Sequence, residues 1–366
     1  MTEDEASTQW WTQVLAGSGG DLSSTTATEE YLVLPKPSSP RVVVDRQEER
    51  AVRDVMDRMI SSRTSNGAVR SLVGGASVLM TKKKGAWNVS AGQAGKTLRQ
   101  HLSNVLDTEL RISVSVGPPR PNRKPVIRCY RESGLFAVAK LGLEDHTATM
   151  VTNEARWLEI MAGQPLTNVQ TAPVLYAGDY DGHPLLVMSA LDLESDLGLD
   201  FADVPLKIAG EFASRYSTDD SVGDSEWWQG LASRMTTPQL DSVHAQLSQL
   251  EQAPEFSAVE ASAWHGDWSP WNMGVCTSGK LCIWDWERAT IGVPHGFDIC
   301  HLHFQYGEGL DHADDDLTAM GVPSELHNIT KQMYLYELCA RHSEAQALGT
   351  ERHATVMTTL EELSAK

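Results

Sequence analysis

The stretch "HGDWSPWN", residues 265–272, mixes polar and aromatic residues in a way that suits neither a solvated loop nor a buried strand. Asp267 and Asn272 stand five residues apart among two tryptophans and a proline. A second motif, "LCIWDWE" at 281–287, is a short hydrophobic run that ends in Asp285. Together they offer one carboxylate to position a hydroxyl group and two oxygen ligands for magnesium, the groups that phosphoryl transfer needs.

The composition limits the class of protein. With 366 residues, 41% of them hydrophobic, the chain is long enough for two lobes around sizeable cores. Its formal net charge of −19 argues against a nucleic-acid partner, since phosphate backbones bind basic surfaces. No run of 18 apolar residues occurs, so no membrane partner is predicted.

The expected compartment is the cytoplasm. The acidic, polar start of the chain argues against a secretory signal. The five cysteines are odd in number and lack the CxxC spacing of zinc sites. We interpret all five as free thiols in a reducing cytoplasm.

Four segments are predicted along the chain. They are a flexible N-terminal segment (1–29), an N-terminal extension of the small lobe (30–109), a small lobe of strands and helix (110–190) and a mostly helical lobe (191–366). Strands are predicted within 31–44, 111–117, 125–142 and 183–192, and helices within 97–106 and 151–163. Trp10 and Trp11 favour a short docked helix within the otherwise Gly-, Ser- and Thr-rich first segment.

"SAGQAGKT", residues 90–97, nearly matches the phosphate-binding pattern GxxxxGK[ST]. Ser90 stands where the first glycine is required, and that glycine lets the backbone fold around phosphate oxygens. We therefore interpret the stretch as a turn that leads into a helix.

The pattern HGDxxxxN followed by Asp285-Trp286-Glu287 resembles the aminoglycoside phosphotransferase and choline kinase-like family, small-molecule relatives of the protein kinases. "GVPHGFD" places Asp298 in a looser match to the family's later G-x-P-x-x-D stretch. The resemblance covers about residues 110–345. It implies a bilobal, protein kinase-like α+β fold, with a small antiparallel sheet and helix followed by a mostly helical lobe.

The resemblance assigns roles in the helical lobe. It implies that Asp267 is the catalytic base and that Asn272 and Asp285 bind Mg²⁺. It also implies that His265 braces the loop and that Asp298 anchors it.

The resemblance also assigns roles in the small lobe. "AVAK", residues 137–140, resembles the kinase VAIK strand, so Lys140 and Glu154 would form the ion pair that holds the ATP phosphates. Adenine would contact the backbone between Met188 and Ala190. A proline-containing turn at 118–121 replaces the glycine-rich loop of protein kinases.

Acceptor residues are less sharply indicated. The candidates are Trp268, Trp271, Glu287, Glu337 and Arg341. The aromatic residues would either stack on a sugar ring or brace the loop, and Glu337 and Arg341 would either reach the acceptor or pack within the lobe. Glu287 is either a residue beside the metal or a surface charge. The acidic residues after residue 190 fit a cationic or polyhydroxylated acceptor, and a solvated linker explains them equally well.

The resemblance thus implies an ATP- and Mg²⁺-dependent phosphotransferase whose small-molecule acceptor is a hydroxyl group of a sugar, amino sugar or aminoglycoside-like compound. A non-catalytic, nucleotide-binding pseudokinase or scaffold is the alternative, and the complete set of motif residues argues against it. The absence of DFG, APE and a glycine-rich loop argues against a protein kinase. A P-loop NTPase would depend on Lys96 rather than Lys140.

Overall fold

Two groups of residues form separate compact units in the computed structural model. The first unit is Met1–Ala155 with Ala172–Ala190, and the second is Arg156–Thr171 with Leu191–Lys366. The structure describes residues 3–27, 29–48, 50, 52, 86–93, 95–117, 122–194, 199–218, 221–235, 237, 240–305 and 309–365. The predicted turn at 118–121 lies outside the described residues.

The first unit is built on an eight-stranded sheet. Its strands are β1 (Glu29–Lys36), β2 (Ser39–Asp45), β3 (Ala86–Val89), β4 (Arg111–Val116), β5 (Pro125–Arg131), β6 (Gly134–Leu141), β8 (Val174–Tyr180) and β9 (His183–Ser189). They lie in the order β3-β1-β2-β4-β5-β6-β9-β8, and every neighbouring pair is antiparallel. The predicted strands and the hairpin between β5 and β6 are confirmed.

Three helices accompany this sheet. They are α1 (Glu3–Ala16), α2 (Leu98–Val105) and α3 (Asp145–Gly163). Helix α3 begins six residues before the predicted start at 151 and runs on into the residues grouped with the second unit. It presents Glu154 to β6, which carries Lys140.

The expectation of a flexible segment over 1–29 is wrong for α1. Trp11 is fully buried and lies beside Trp87, with ring centroids 5.9 Å apart. The hydrophobic core that contains Trp11 also includes residues from β1, β2, α2, β4, β5 and β6. The short docked helix that Trp10 and Trp11 favoured is confirmed, within a segment whose Gly, Ser and Thr content indicated flexibility. The extension therefore adds strands and core to the sheet that carries Lys140.

The GxxxxGK[ST]-like stretch is a helix start, as predicted. The Thr97 hydroxyl oxygen accepts a hydrogen bond from the Gln100 N–H, and the Gln100 side-chain oxygen accepts one from the Thr97 N–H. These two bonds form a capping box at the start of α2. The Thr97 hydroxyl also donates to the buried carboxylate of Glu29 at 2.6 Å. Arg99 and Tyr31 bind the same carboxylate. An anion of the protein itself thus occupies the start of this helix.

Replacing Thr97 with alanine tests this arrangement. The substitution removes the cap and one donor to a buried carboxylate, so we expect the free energy of unfolding to fall by about 2 kcal/mol in urea titrations. Thr149→Ala is the control, since that exposed hydroxyl bonds only back to Asp145 in its own helix. A comparable loss in both variants would contradict the proposed role of Thr97.

The second unit is mostly helical. Its helices are α4 (Leu206–Arg215), α5 (Glu226–Arg234), α6 (Asp241–Leu250), α7 (Phe297–Gln305), α8 (Asp314–Ala319), α9 (His327–Glu344) and α10 (Glu351–Ser364). Its strands are β7 (Val169–Gln170), β10 (Ala261–Trp264), β11 (Met273–Val275), β12 (Leu281–Ile283) and β13 (Thr290–Pro294). Strand β12 pairs with β11 and β7, and β10 pairs with β13. Among the described residues, no helix has the length and apolar character needed to cross a bilayer.

The β11–β12 hairpin corrects one cysteine prediction. Cys276 and Cys282 form a disulfide, with their Cα atoms 5.9 Å apart, whereas Cys129, Cys300 and Cys339 are free and buried. The expectation of five free thiols is therefore wrong for this pair. The cause is the hairpin itself, because its antiparallel register pairs Cys282 with Gly274, and Cys276 follows Gly274 by two residues on the same face.

Candidate active site

Lys140 and Glu154 form a buried ion pair in the first unit. The Lys140 Nζ lies 2.7 Å and 2.6 Å from the two carboxylate oxygens of Glu154. Both side chains are almost entirely removed from solvent. A buried ammonium requires such a partner, because an unpaired charge in this environment would be strongly destabilising. The structure thus brings together the two residues that the VAIK-like motif indicated.

The residues predicted to contact adenine, Met188 to Ala190, lie at the end of β9, beside the first half of β6. Met188 is buried and lies opposite Val138 in the β6–β9 pair. The Ala190 N–H donates to the Phe136 carbonyl at 3.0 Å. The Ala190 donor is therefore used within the sheet, and a base contact at this residue is restricted to its carbonyl group.

Asp298 fixes the start of loop 265–272 in the second unit. Its carboxylate, at the beginning of α7, accepts from the His265 N–H at 2.8 Å and from the Gly266 N–H at 3.2 Å. Gly266 has φ +83°, and a Cβ there would lie 2.4 Å from the Arg288 carbonyl oxygen. Only glycine fits this position, which explains the glycine of the HGD motif. Asp298 anchors the loop, as predicted.

Burial and hydrogen bonding shift the pKa of Asp298 in opposite directions. Removal from water raises its pKa to about 7, although the two N–H donors favour the charged form. The carboxylate therefore holds the loop at the cost of an unfavourable environment for its charge. That arrangement makes the two donors essential to its ionised state.

His265 is a structural histidine that connects the loop to the second motif. Its Nε2 lies 3.0 Å from the Trp284 carbonyl oxygen, and its Nδ1 accepts from the Asp267 N–H at 3.2 Å. Burial lowers the pKa of His265 to about 4, so the ring is neutral at pH 7. A neutral ring with hydrogen on Nε2 satisfies both bonds. The predicted bracing role is confirmed.

Asp267 and Asn272 are joined by the loop. The Asn272 amide group donates to the Asp267 backbone oxygen at 2.9 Å and to Asp267 Oδ2 at 3.0 Å. The other oxygen, Oδ1, accepts from Ser269 Oγ at 3.0 Å and lies 3.1 Å from His301 Nε2. Burial alone would raise the pKa of Asp267, but the His301 contact and the other donors lower it. Asp267 is therefore a carboxylate at neutral pH.

Asp285 is held in a left-handed conformation directly after β12. Its φ and ψ are 64° and 47°, which aspartate tolerates better than most residues. The preceding peptide is fixed from two sides, because the Trp284 N–H donates to the Asn272 carbonyl and the Trp284 oxygen contacts His265. Glu287 offers a carboxylate oxygen within 4.8 Å of one from Asp285. The two motifs of the sequence thus form one connected structure.

Glu337 and Arg341 support the loop instead of reaching an acceptor. Arg341 donates to the Gly266 carbonyl at 2.6 Å and to Glu337 at 2.8 Å. Glu337 is buried and also binds Arg234 and Trp227. Burial would raise its pKa, but the two guanidinium groups lower it to about 2. Glu337 is therefore wrong as an acceptor residue, because its carboxylate is consumed by this network.

The two tryptophans of the loop differ. Trp268 is fully buried and packs edge-on against His265, so its prediction as an acceptor residue is wrong. Trp271 is 53% exposed and stays a candidate. Aromatic packing against His265, whose ring also contacts Trp286, keeps Trp268 inside.

His301 is a functional candidate that the sequence reasoning missed. It lies in α7 one turn after Asp298, is buried, and contacts both Asp267 and the Tyr334 hydroxyl. The signal was the i, i+3 spacing from Asp298, since both side chains then face the same loop.

The fold is shared with solved kinase structures. A protein from Haemophilus somnus 129PT that is named as a putative fructosamine-3-kinase is 13% identical to this chain, with a TM-score of 0.51. The match covers 73% of this chain and 96% of that chain. The choline kinase LicA from Streptococcus pneumoniae, in complex with AMP, is 15% identical, with a TM-score of 0.51, covering 73% and 97%. A GDP complex of aminoglycoside 2′-phosphotransferase-IIIa is 15% identical, with a TM-score of 0.49, covering 73% and 99%.

No protein-family model matches the chain, and no curated protein matches it. The likeness to solved structures therefore defines the fold, which is protein kinase-like. The fold implied by the HGDxxxxN resemblance is confirmed.

Asp298→Asn tests how the loop is anchored. Asparagine presents an NH₂ group to one of the two backbone N–H donors, so one buried donor loses its partner. We expect the free energy of unfolding to fall by about 1–3 kcal/mol in urea titrations. Asp315→Asn, at an exposed position of α8, is the control and should change stability by less than about 0.5 kcal/mol. Full stability of Asp298→Asn would contradict the anchor.

Proposed function

We propose that the protein is a small-molecule kinase that transfers the γ-phosphoryl group of ATP to a hydroxyl group. The observation that carries this proposal is the hydrogen-bonded pair of Asp267 and Asn272. It positions a carboxylate and an amide oxygen on one rigid loop, next to a motif that ends in Asp285. The fold, shared with proteins named as choline kinase and putative fructosamine-3-kinase, supports the same class of reaction.

Asp267 is proposed to orient the acceptor hydroxyl and to take its proton. The acceptor oxygen forms a bond to the γ-phosphorus as the bond to the β,γ-bridging oxygen breaks, and ADP leaves with that electron pair. Ionised Asp267 is suited to this role, since its low pKa keeps it ready to accept a hydrogen bond. Its anchored backbone fixes the carboxylate in place, so that rate arises from positioning.

The donor set fits Mg²⁺. The Asn272 amide nitrogen is committed to Asp267, which leaves its Oδ1 as an oxygen ligand. Asp285 supplies a carboxylate, with a Glu287 oxygen nearby. Oxygen ligands of this kind suit a hard divalent cation. When bound, the ion would neutralise phosphate charge.

Lys140 is proposed to bind the α and β phosphates of ATP. Its ammonium is fixed by Glu154 in the first unit, so little side-chain entropy is lost on binding. The alternative phosphate site at Lys96 is disfavoured, because the Glu29 carboxylate already binds the Thr97 hydroxyl there.

For the acceptor, we propose a sugar-like or amino-sugar compound. The segment after residue 190 runs beside the loop, since the Leu199 N–H donates to the Pro270 carbonyl and the Glu194 N–H to the Val275 carbonyl. It carries exposed acidic side chains at Asp192, Glu194, Asp200 and Asp203, whereas Asp196 lies outside the described residues. Together with exposed Trp271, these charges favour a polyhydroxylated compound that carries amino groups.

Thermal unfolding with and without MgATP tests the nucleotide proposal. A ligand at 100 times its Kd stabilises the native state by about 2.7 kcal/mol, which raises the Tm of wild type by several degrees. Asp285→Ala should lose the Mg²⁺-dependent part of the rise, and Lys140→Met most of the rise. Lys96→Ala is the matched lysine control and should keep it.

Two results would redirect the assignment. A rise lost in Lys96→Ala but kept in Lys140→Met would indicate a P-loop NTPase. A rise in wild type, with no ADP formed from MgATP in the presence of aminoglycosides, amino sugars, sugars or amino alcohols, would favour the non-catalytic nucleotide-binding alternative.

A further inference from the structure

His301 connects the loop to a second helix through a chain of hydrogen bonds. Its Nε2 lies 3.1 Å from Asp267 Oδ1, and its Nδ1 lies 3.1 Å from the Tyr334 hydroxyl of α9. Both His301 and Tyr334 are buried. The contact is therefore not a chance approach of a mobile surface side chain.

The partners of His301 determine its tautomer. Asp267 Oδ1 is a carboxylate oxygen and accepts only, so Nε2 must carry the hydrogen. Burial lowers the pKa of His301, which leaves the ring neutral and Nδ1 free of hydrogen. Nδ1 then accepts from the Tyr334 hydroxyl, and every polar atom of the ring has a partner of the right kind.

The same bonds distinguish the two oxygens of Asp267. Oδ1 accepts from Ser269 and from His301, which uses both of its lone-pair directions. Within the described part of the chain, Oδ2 accepts a single hydrogen bond, from the Asn272 amide, and that bond also orients the Asn272 oxygen. Oδ2 is therefore the Asp267 oxygen with a lone pair open to the proton of the acceptor hydroxyl.

We propose that His301 is a positioning residue that engages Asp267 Oδ1 and so makes Oδ2 the oxygen that takes the acceptor proton. The Tyr334 hydroxyl, on the other side of the ring, donates to Nδ1 and completes this tautomer. This inference rests on the proposed kinase function. It adds that the productive rotamer of the base is imposed by α7, the helix whose first turn also anchors the loop through Asp298.

The test compares His301→Leu with His301→Gln in the full chain, with MgATP as substrate and water as acceptor. Leucine fills the space without a donor, whereas the glutamine amide retains an N–H near the Nε2 position. We expect kcat for ADP release to fall on the order of 10- to 100-fold in His301→Leu, with the KM for MgATP within about 2-fold of wild type. His301→Gln should recover most of kcat.

His303→Leu is the matched control. His303 is a buried histidine of the same helix, but its Nε2 contacts Asp316, 2.8 Å away, rather than the loop. It should lose stability as His301→Leu does and keep kcat within about 2-fold of wild type. Wild-type kcat in His301→Leu, or equal losses in the leucine variants of both histidines, would overturn the proposal.

Nitrogen-15 NMR of the histidine rings separates this proposal from the kinase assignment. We expect the His301 signal, identified by its loss in His301→Gln, to show the neutral Nε2–H tautomer, and Asp267→Ala to shift that population. A His301 ring with hydrogen on Nδ1 alone would overturn the positioning role even in an active enzyme. A wild-type protein that neither binds nor hydrolyses MgATP would remove the kinase function on which the proposal rests, and so would overturn it too.

Discussion

The two hydrogen bonds from the His265 and Gly266 N–H groups to Asp298 are the constraint on which the second unit's site depends. They hold a peptide in a conformation that only glycine adopts without a clash. Arg341 secures the opposite side by binding the Gly266 oxygen. With the N–H and the carbonyl group of Gly266 both held, Asp267 and Asn272 project from a rigid base, which is what a reaction governed by positioning requires.

Several charged side chains are buried in the two units, and local partners compensate each for its loss of hydration. Glu337 lies between Arg234 and Arg341, Asp298 accepts two N–H groups, and Lys140 is paired with Glu154 in the first unit. Removing one partner would leave the other charge buried and unpaired, so these contacts specify geometry more than they add stability.

Local motifs predicted the chemistry better than they predicted its surroundings. Asp267, Asn272 and Asp285 lie within 19 residues of sequence, and Asn272 and Asp285 flank the β11–β12 hairpin, so their spacing carried the information. Arg234 acts through Glu337 from a helix far from it in sequence, which the tertiary packing reveals, whereas the spacing from Asp298 was the signal for His301. Trp268 and Glu337 were misassigned because a residue type near a site does not disclose its burial. Trp10 and Trp11 predicted the helix that contains them, although the Gly, Ser and Thr residues of the same segment indicated flexibility.

The central claim is that Asn272 and Asp285 hold the divalent ion that accompanies a nucleotide. Anomalous diffraction from crystals grown with Mn²⁺ and ADP tests it directly, because the ion identifies its own ligands. We expect a single strong peak within coordination distance of Asn272 Oδ1 and the Asp285 carboxylate. A nucleotide and ion bound at the start of α2, next to Lys96, would contradict the account.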